Sequence, residues 1–139
     1  MTSSPFASPR FLPRVMALDA ASCGATGALQ LAAAGPLAAL TGLPQALLSG
    51  TGVFLLAYAL VAAWLARGQG AHPTLIGLVA LGNLAWAVGC VALATGGWMT
   101  LTGWGVVWLA LQAVVVVLLA DLQWMGLRAT RGAVRLAAA

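Results

Sequence analysis

Apolar residues in this chain run in long, nearly uncharged stretches, separated by short groups rich in Gly, Pro and polar residues. The first run, Val15 to Ala34, has 20 residues, enough at about 1.5 Å per residue to cross about 30 Å of hydrocarbon. Gly35-Pro36 punctuates it. Leu37 to Leu43 follows, closed by Pro44, and is too short to span, which predicts an interfacial or half-inserted segment. Further runs cover residues 45–66, 74–95 and 101–124. The loop Arg67-Gly68-Gln69-Gly70-Ala71-His72-Pro73 and the turn Gly96-Gly97-Trp98-Met99 divide them. The pattern predicts an all-α polytopic membrane protein, a four-transmembrane-helix bundle with a short interfacial segment between helices 1 and 2. Residues 1–14 form an N-terminal arm in which Pro5, Pro9 and Pro13 break any helix. Residues 15–126 form a single transmembrane domain, and 127–139 a basic tail. Arg128, Arg131 and Arg135 share a helical face there. That predicts a short amphipathic helix on the membrane surface, with Leu127, Val134 and Leu136 partly covering its other side.

Composition sharpens this reading. Of 139 residues, 63% are hydrophobic and 6% charged, with a mean hydropathy of +1.03. Soluble domains carry roughly 25% charged residues, and disordered chains are polar, so both classes are excluded. The six cations are all arginine, and Asp19 and Asp121 are the only acids. With four spans, Arg10, Arg14, Arg67 and the tail arginines fall on one side, and residues 35–44 and 96–100 carry no charge. The positive-inside rule then predicts that both termini lie in the cytoplasm. The net charge of +4 reports topology and contact with anionic headgroups, not nucleic-acid binding. Trp98 and Trp104 suit the outer interface as anchors, Trp64 and Trp124 the inner one. The start also mimics a secretory signal with an Ala32-Ala33-Ala34 cleavage site, but Asp19, Ser22, Cys23, Thr26 and Gln30 interrupt its apolar core. The first helix is therefore expected to be retained.

Polar residues inside the spans are the candidate chemistry. Asp19, Ser22, Cys23, Thr26 and Gln30 lie at the one-face spacing of a helix, and such a stripe should face other helices or a cavity. Ala20, Gly24 and Ala28 make a small-residue row beside it, and Gly82 and Gly89 a smooth groove on the third span, both suited to helix packing. Depth counting places Thr26, Tyr58, Asn83 and Gln112 in a middle layer. It places Asp19 and Asp121 in an inner layer bordered by Arg14, Arg67 and Arg128. Each acid can be read as the partner of a snorkelling arginine or as a proton or substrate site. Trp86 and Trp108 read as core fillers or ligand contacts. Cys23 and Cys90 differ by about 12 Å in depth, beyond disulfide reach. His72 reads as a solvated loop residue. As the lone histidine, it cannot supply a bis-histidine haem. No catalytic triad, phosphate loop or metal-ligand spacing is present, so neither enzymatic activity nor a metal or cofactor is expected.

The layout of a span, a Gly-Pro break, the segment LAALTGLP and a second span containing GTGVFLLAYAL resembles small four-helix DoxX-like bacterial membrane proteins. The resemblance implies an inner-membrane accessory protein, in some members associated with redox or quinone-linked complexes, and no catalytic residue. A short chain of four spans with Asp19 in the first is also similar to small multidrug resistance transporters, which use a glutamate there. Three functions follow as expectations. The first is a non-enzymatic accessory or assembly subunit that packs against a membrane-protein partner or another copy. The second is a proton-coupled transporter working as a homodimer around Asp19. The third is a quinone- or lipid-binding protein using Tyr58, Asn83, Trp86 and Gln112.

Overall fold

A computed structural model describes residues 5–68 and 72–138. Met1–Ser4 of the arm and Gln69–Ala71 of the glycine loop lie outside the described residues. The described residues are all-α, without strands. After a 3-10 turn at Pro5–Ala7 come α1 (Phe11–Ala32), α2 (Ala34–Thr41), α3 (Gln45–Arg67), α4 (Pro73–Thr95) and α5 (Gly103–Ala137). Three of these, α3, α4 and α5, are each long and apolar enough to cross a membrane. The bent pair α1 and α2 qualifies together as a fourth.

Helix α1 starts four residues before the first apolar run. Pro13 is its third residue, where the missing N–H would have no partner inside the helix in any case. The break after α1 falls at Ala33, with φ −126° and ψ 30°, so Gly35-Pro36 opens α2 instead of ending α1. Pro36 cannot donate to the Ala32 carbonyl, which stops one helix and suits the first turn of the next. The chain bends by 93° there. Gly42 closes α2 in the left-handed conformation, φ 75°. Pro73 occupies the first turn of α4, and the Thr102 hydroxyl caps α5 by accepting from Gly105 N at 3.1 Å.

The fourth apolar run and the basic tail form one helix of 35 residues, not a span followed by a separate surface helix. No proline interrupts residues 103–137, and glycine alone does not end a helix. At about 1.5 Å per residue, α5 is about 52 Å long. Residues 128–138 are mostly exposed.

Helix α1 packs along α3, and α4 along α5, with α1 against α5 joining the two pairs. Helix α2 lies across one end and touches both α3 and α5. Thr102 N donates to Thr41 O at 3.1 Å, and Thr102 Oγ1 to Leu40 O at 2.5 Å. Gly105 lets the two helices meet, because a Cβ there would collide with the Thr41 carbonyl. Leu12, Met16, Leu65, Ile76 and Leu127 form a core near the arginines, and Leu43, Leu48, Cys90 and Leu109 one near α2. The outward faces carry Leu60, Val88, Leu111 and Leu118, all exposed, while Asp19, Gln30, Thr41, Asn83 and Gln123 are buried. Apolar outside with polar inside is the arrangement a hydrocarbon solvent favours.

Candidate functional site

Two features converge in the middle of the bundle, a polar network and a cavity. The network centres on Asp19, which is fully buried. Its Oδ2 accepts from Gln123 Nε2 at 2.6 Å and from Asn83 Nδ2 at 2.9 Å. Its Oδ1 accepts from the Cys23 thiol at 3.3 Å. Asn83 Nδ2 also lies 3.3 Å from Gln123 Oε1, and the Tyr58 hydroxyl donates to Val79 O at 3.1 Å or Asn83 Oδ1 at 3.3 Å. Side chains of α1, α4 and α5 thus meet at one carboxyl group, and α3 joins them through Tyr58 and Asn83.

Depth counting separated Asp19 from Asn83, and the structure brings them together. Because α1 begins at Phe11, Asp19 is about 12 Å along its helix, and Asn83 is about 15 Å along α4 from Pro73. The partners of Asp19 among the described residues are amides and a thiol, not arginine. Asp121 is exposed on α5, away from this network. Thr26 is half-buried and joins no bond of the network, and Gln112 lies nearer α2, accepting from Trp86 Nε1 at 3.3 Å. Gln123 occupies the centre but was not among the expected site residues. The signal was present, since Val116, Leu119, Ala120, Gln123 and Leu127 share one helical face and all are buried.

The small residues divide similarly. A Cβ on Gly24 would make an ordinary 3.7 Å contact with Ala59, one on Gly82 would sit 3.8 Å from the Tyr58 ring, and Gly89 faces open space. Ala20 is half-buried and Ala28 exposed. The tight crossing of α1 and α3 uses Gly27 and Gly52 instead, where a Cβ on Gly27 would stand 2.8 Å from Gly52 O. Trp64, Trp98 and Trp104 are exposed near helix ends, and Trp124 is exposed within α5. Arg128 lies 5.5 Å over the Trp124 ring, and the His72 ring stacks on Trp64 at 5.3 Å.

The cavity encloses about 530 Å³ between α1, α3, α4 and α5. Side chains, not close backbone packing, bridge α3 and α4 across it. Phe54 stacks on Trp86 with ring centres 5.9 Å apart and planes 4° from parallel. Phe54, Gly82, Ala85 and Gly89 line the cavity and are themselves exposed, so it opens sideways between α3 and α4. Leu48, Leu55, Leu109 and Val116 form an apolar lining, and Gln30, Tyr58, Asn83 and Gln112 add polar groups. The Thr51 hydroxyl donates to Leu47 O at 2.7 Å or to Gln30 Oε1 at 3.0 Å. Both cysteines, Cys23 and Cys90, line the cavity as free thiols. An apolar chamber with a few convergent polar groups is the usual form of a small-molecule site.

Comparison with protein-family models, with curated proteins and with solved structures gives no match for this chain.

Proposed function

We propose that this chain is a non-enzymatic, multi-pass inner-membrane protein that takes a neutral lipophilic molecule, of quinone or lipid type, from the bilayer into the cavity. The observation that carries this reading is the chamber of about 530 Å³ opening sideways between two helices long enough to cross a membrane. Its size falls within the range of about 300–1,000 Å³ typical of ligand pockets. A ligand dissolved in lipid reaches such an opening without passing through water. This favours a ligand-binding role over a purely scaffolding one. The enclosure of Asp19 among amides favours a structural role for that residue over a shared site between two copies. The positive-inside rule favours a cytoplasmic arginine end.

The test is partition of a decyl-tailed benzoquinone between nanodiscs containing the protein and empty ones. Saturable excess uptake at about one molecule per chain is expected. Gly89→Phe fills the cavity from a position with open space around its Cβ, so it should abolish the excess while the protein stays folded. Equal uptake by loaded and empty discs would overturn the proposal.

A further inference from the structure

The lining residues of the cavity include no Arg, Lys, Asp or Glu. A phosphate or ammonium headgroup inside would lack a counter-charge, and burying an unpaired ion is strongly unfavourable. The occupant is therefore neutral. What it must offer follows from which polar groups of the lining are already engaged. The Tyr58 hydroxyl donates to Val79 O or Asn83 Oδ1, the Thr51 hydroxyl to Leu47 O or Gln30 Oε1, and Trp86 Nε1 to Gln112 Oε1.

The Gln30 amide nitrogen, on α1, donates to no group among the described residues, and on the α5 wall two further groups are left over. Trp108 Nε1 is enclosed and has no hydrogen-bond partner among the described residues. Gln112 receives the Trp86 N–H through its oxygen, and its amide nitrogen donates to no group among the described residues. Both are donors, since an indole nitrogen and an amide nitrogen cannot accept. They sit four positions apart on α5, on neighbouring turns of the same face. An enclosed donor without a partner is unfavourable by about 1–3 kcal/mol, and an acceptor oxygen brought against it removes that penalty.

Resting on the ligand-binding reading above, we infer that the cavity selects a neutral lipophile bearing a carbonyl oxygen, which Trp108 and Gln112 recognise as paired donors from α5. A benzoquinone-type ring fits this description. Its oxygens accept only, its ring is flat against an aromatic wall, and its tail leaves between α3 and α4. A lipid alcohol brings a donor that these two groups cannot accept.

The experiment compares decyl-benzoquinone with decylbenzene, the same tail on a ring without oxygens, in loaded and empty nanodiscs. The wild-type chain should prefer the quinone at least tenfold. Trp108→Phe keeps the aromatic ring and removes the N–H, and Gln112→Leu keeps the bulk and removes the amide. Each should weaken quinone binding about fivefold, the equivalent of one net hydrogen bond of about 1 kcal/mol, with decylbenzene binding unchanged. Equal affinity for the two probes, or a quinone preference untouched in both variants, overturns the carbonyl inference while leaving a lipophile-binding cavity standing. Binding of neither probe overturns both readings.

Discussion

Asp19 and Asp121 show how far residue type carries a reading and where position takes over. Both are acids in apolar runs, and both were placed in one layer beside arginines. Only Asp19 falls on the buried stripe of its helix, with Met16, Cys23, Gly27 and Gln30. Asp121 faces outward. The polar stripe on α1 was legible because helical periodicity fixes which residues share a face. Its partners were not, because periodicity does not say which neighbouring helix that face meets. The network predicts graded effects. Asp19→Ala removes the acceptor for two buried amides and should lower stability by about 1–3 kcal/mol. Asp19→Asn keeps an acceptor oxygen and should lose less. Gln123→Leu should resemble Asp19→Ala, because it orphans the other side of the same bond. Unfolding in mixed detergent and dodecyl sulfate micelles reads these differences, and a wild-type midpoint for Asp19→Ala would show that the network does not hold the bundle together.

Helix ends and crossings were read unevenly, for identifiable reasons. Apolar run length predicted α3 and α4 to within a residue or so, since both are bounded by turn-forming residues. It misjudged α1 and α5. Proline in a first turn is compatible with helix, so Pro13 did not delay α1. The basic residues after Trp124 changed the polarity of α5 without changing its backbone. The small-residue row Ala20, Gly24, Ala28 was the visible candidate for the α1 crossing, yet the closest approach is one helical turn later on a neighbouring face. A Cβ on Gly27 meets backbone, with Gly52 O at 2.8 Å and Leu56 N at 3.1 Å, and backbone cannot rotate away as a side chain does. Gly27→Ala should therefore destabilise the α1–α3 pair by about 1–3 kcal/mol. Gly24→Ala, which makes only a 3.7 Å contact, should be neutral or stabilising by up to about 1 kcal/mol through better helix propensity. Equal thermal midpoints for the two variants in the same detergent would place the crossing elsewhere.

At the scale of the whole molecule, charge told more than hydrophobicity. The core that gathers Leu12, Leu65, Ile76 and Leu127 lies at the end of the bundle where the arginines sit, so α1 and α4 begin at that end and α3 terminates there. At the opposite end lie α2 and the α4–α5 turn, and residues 33–44 and 96–102 contain no charged side chain. The cavity had no comparable signature. It arises from how four helices distant in sequence fail to fill the space between α3 and α4, and no spacing along one helix records that. The two ends do make a topological prediction, because moving arginines across a membrane is far costlier than moving uncharged turns. In a background with Cys23 and Cys90 replaced by alanine, a single cysteine at position 98, where Trp98 is well exposed, should react with a membrane-impermeant maleimide on intact cells. A cysteine at position 132, where Gly132 has open space around it, should react only after lysis. The reverse pattern would invert the assignment of the arginine end. Reaction of both cysteines on intact cells would mean that an even number of crossings separates them. Since α4 and α5 are contiguous and only α5 lies between these two positions, a single crossing predicts opposite sides, and same-side labelling would show that α5 does not span.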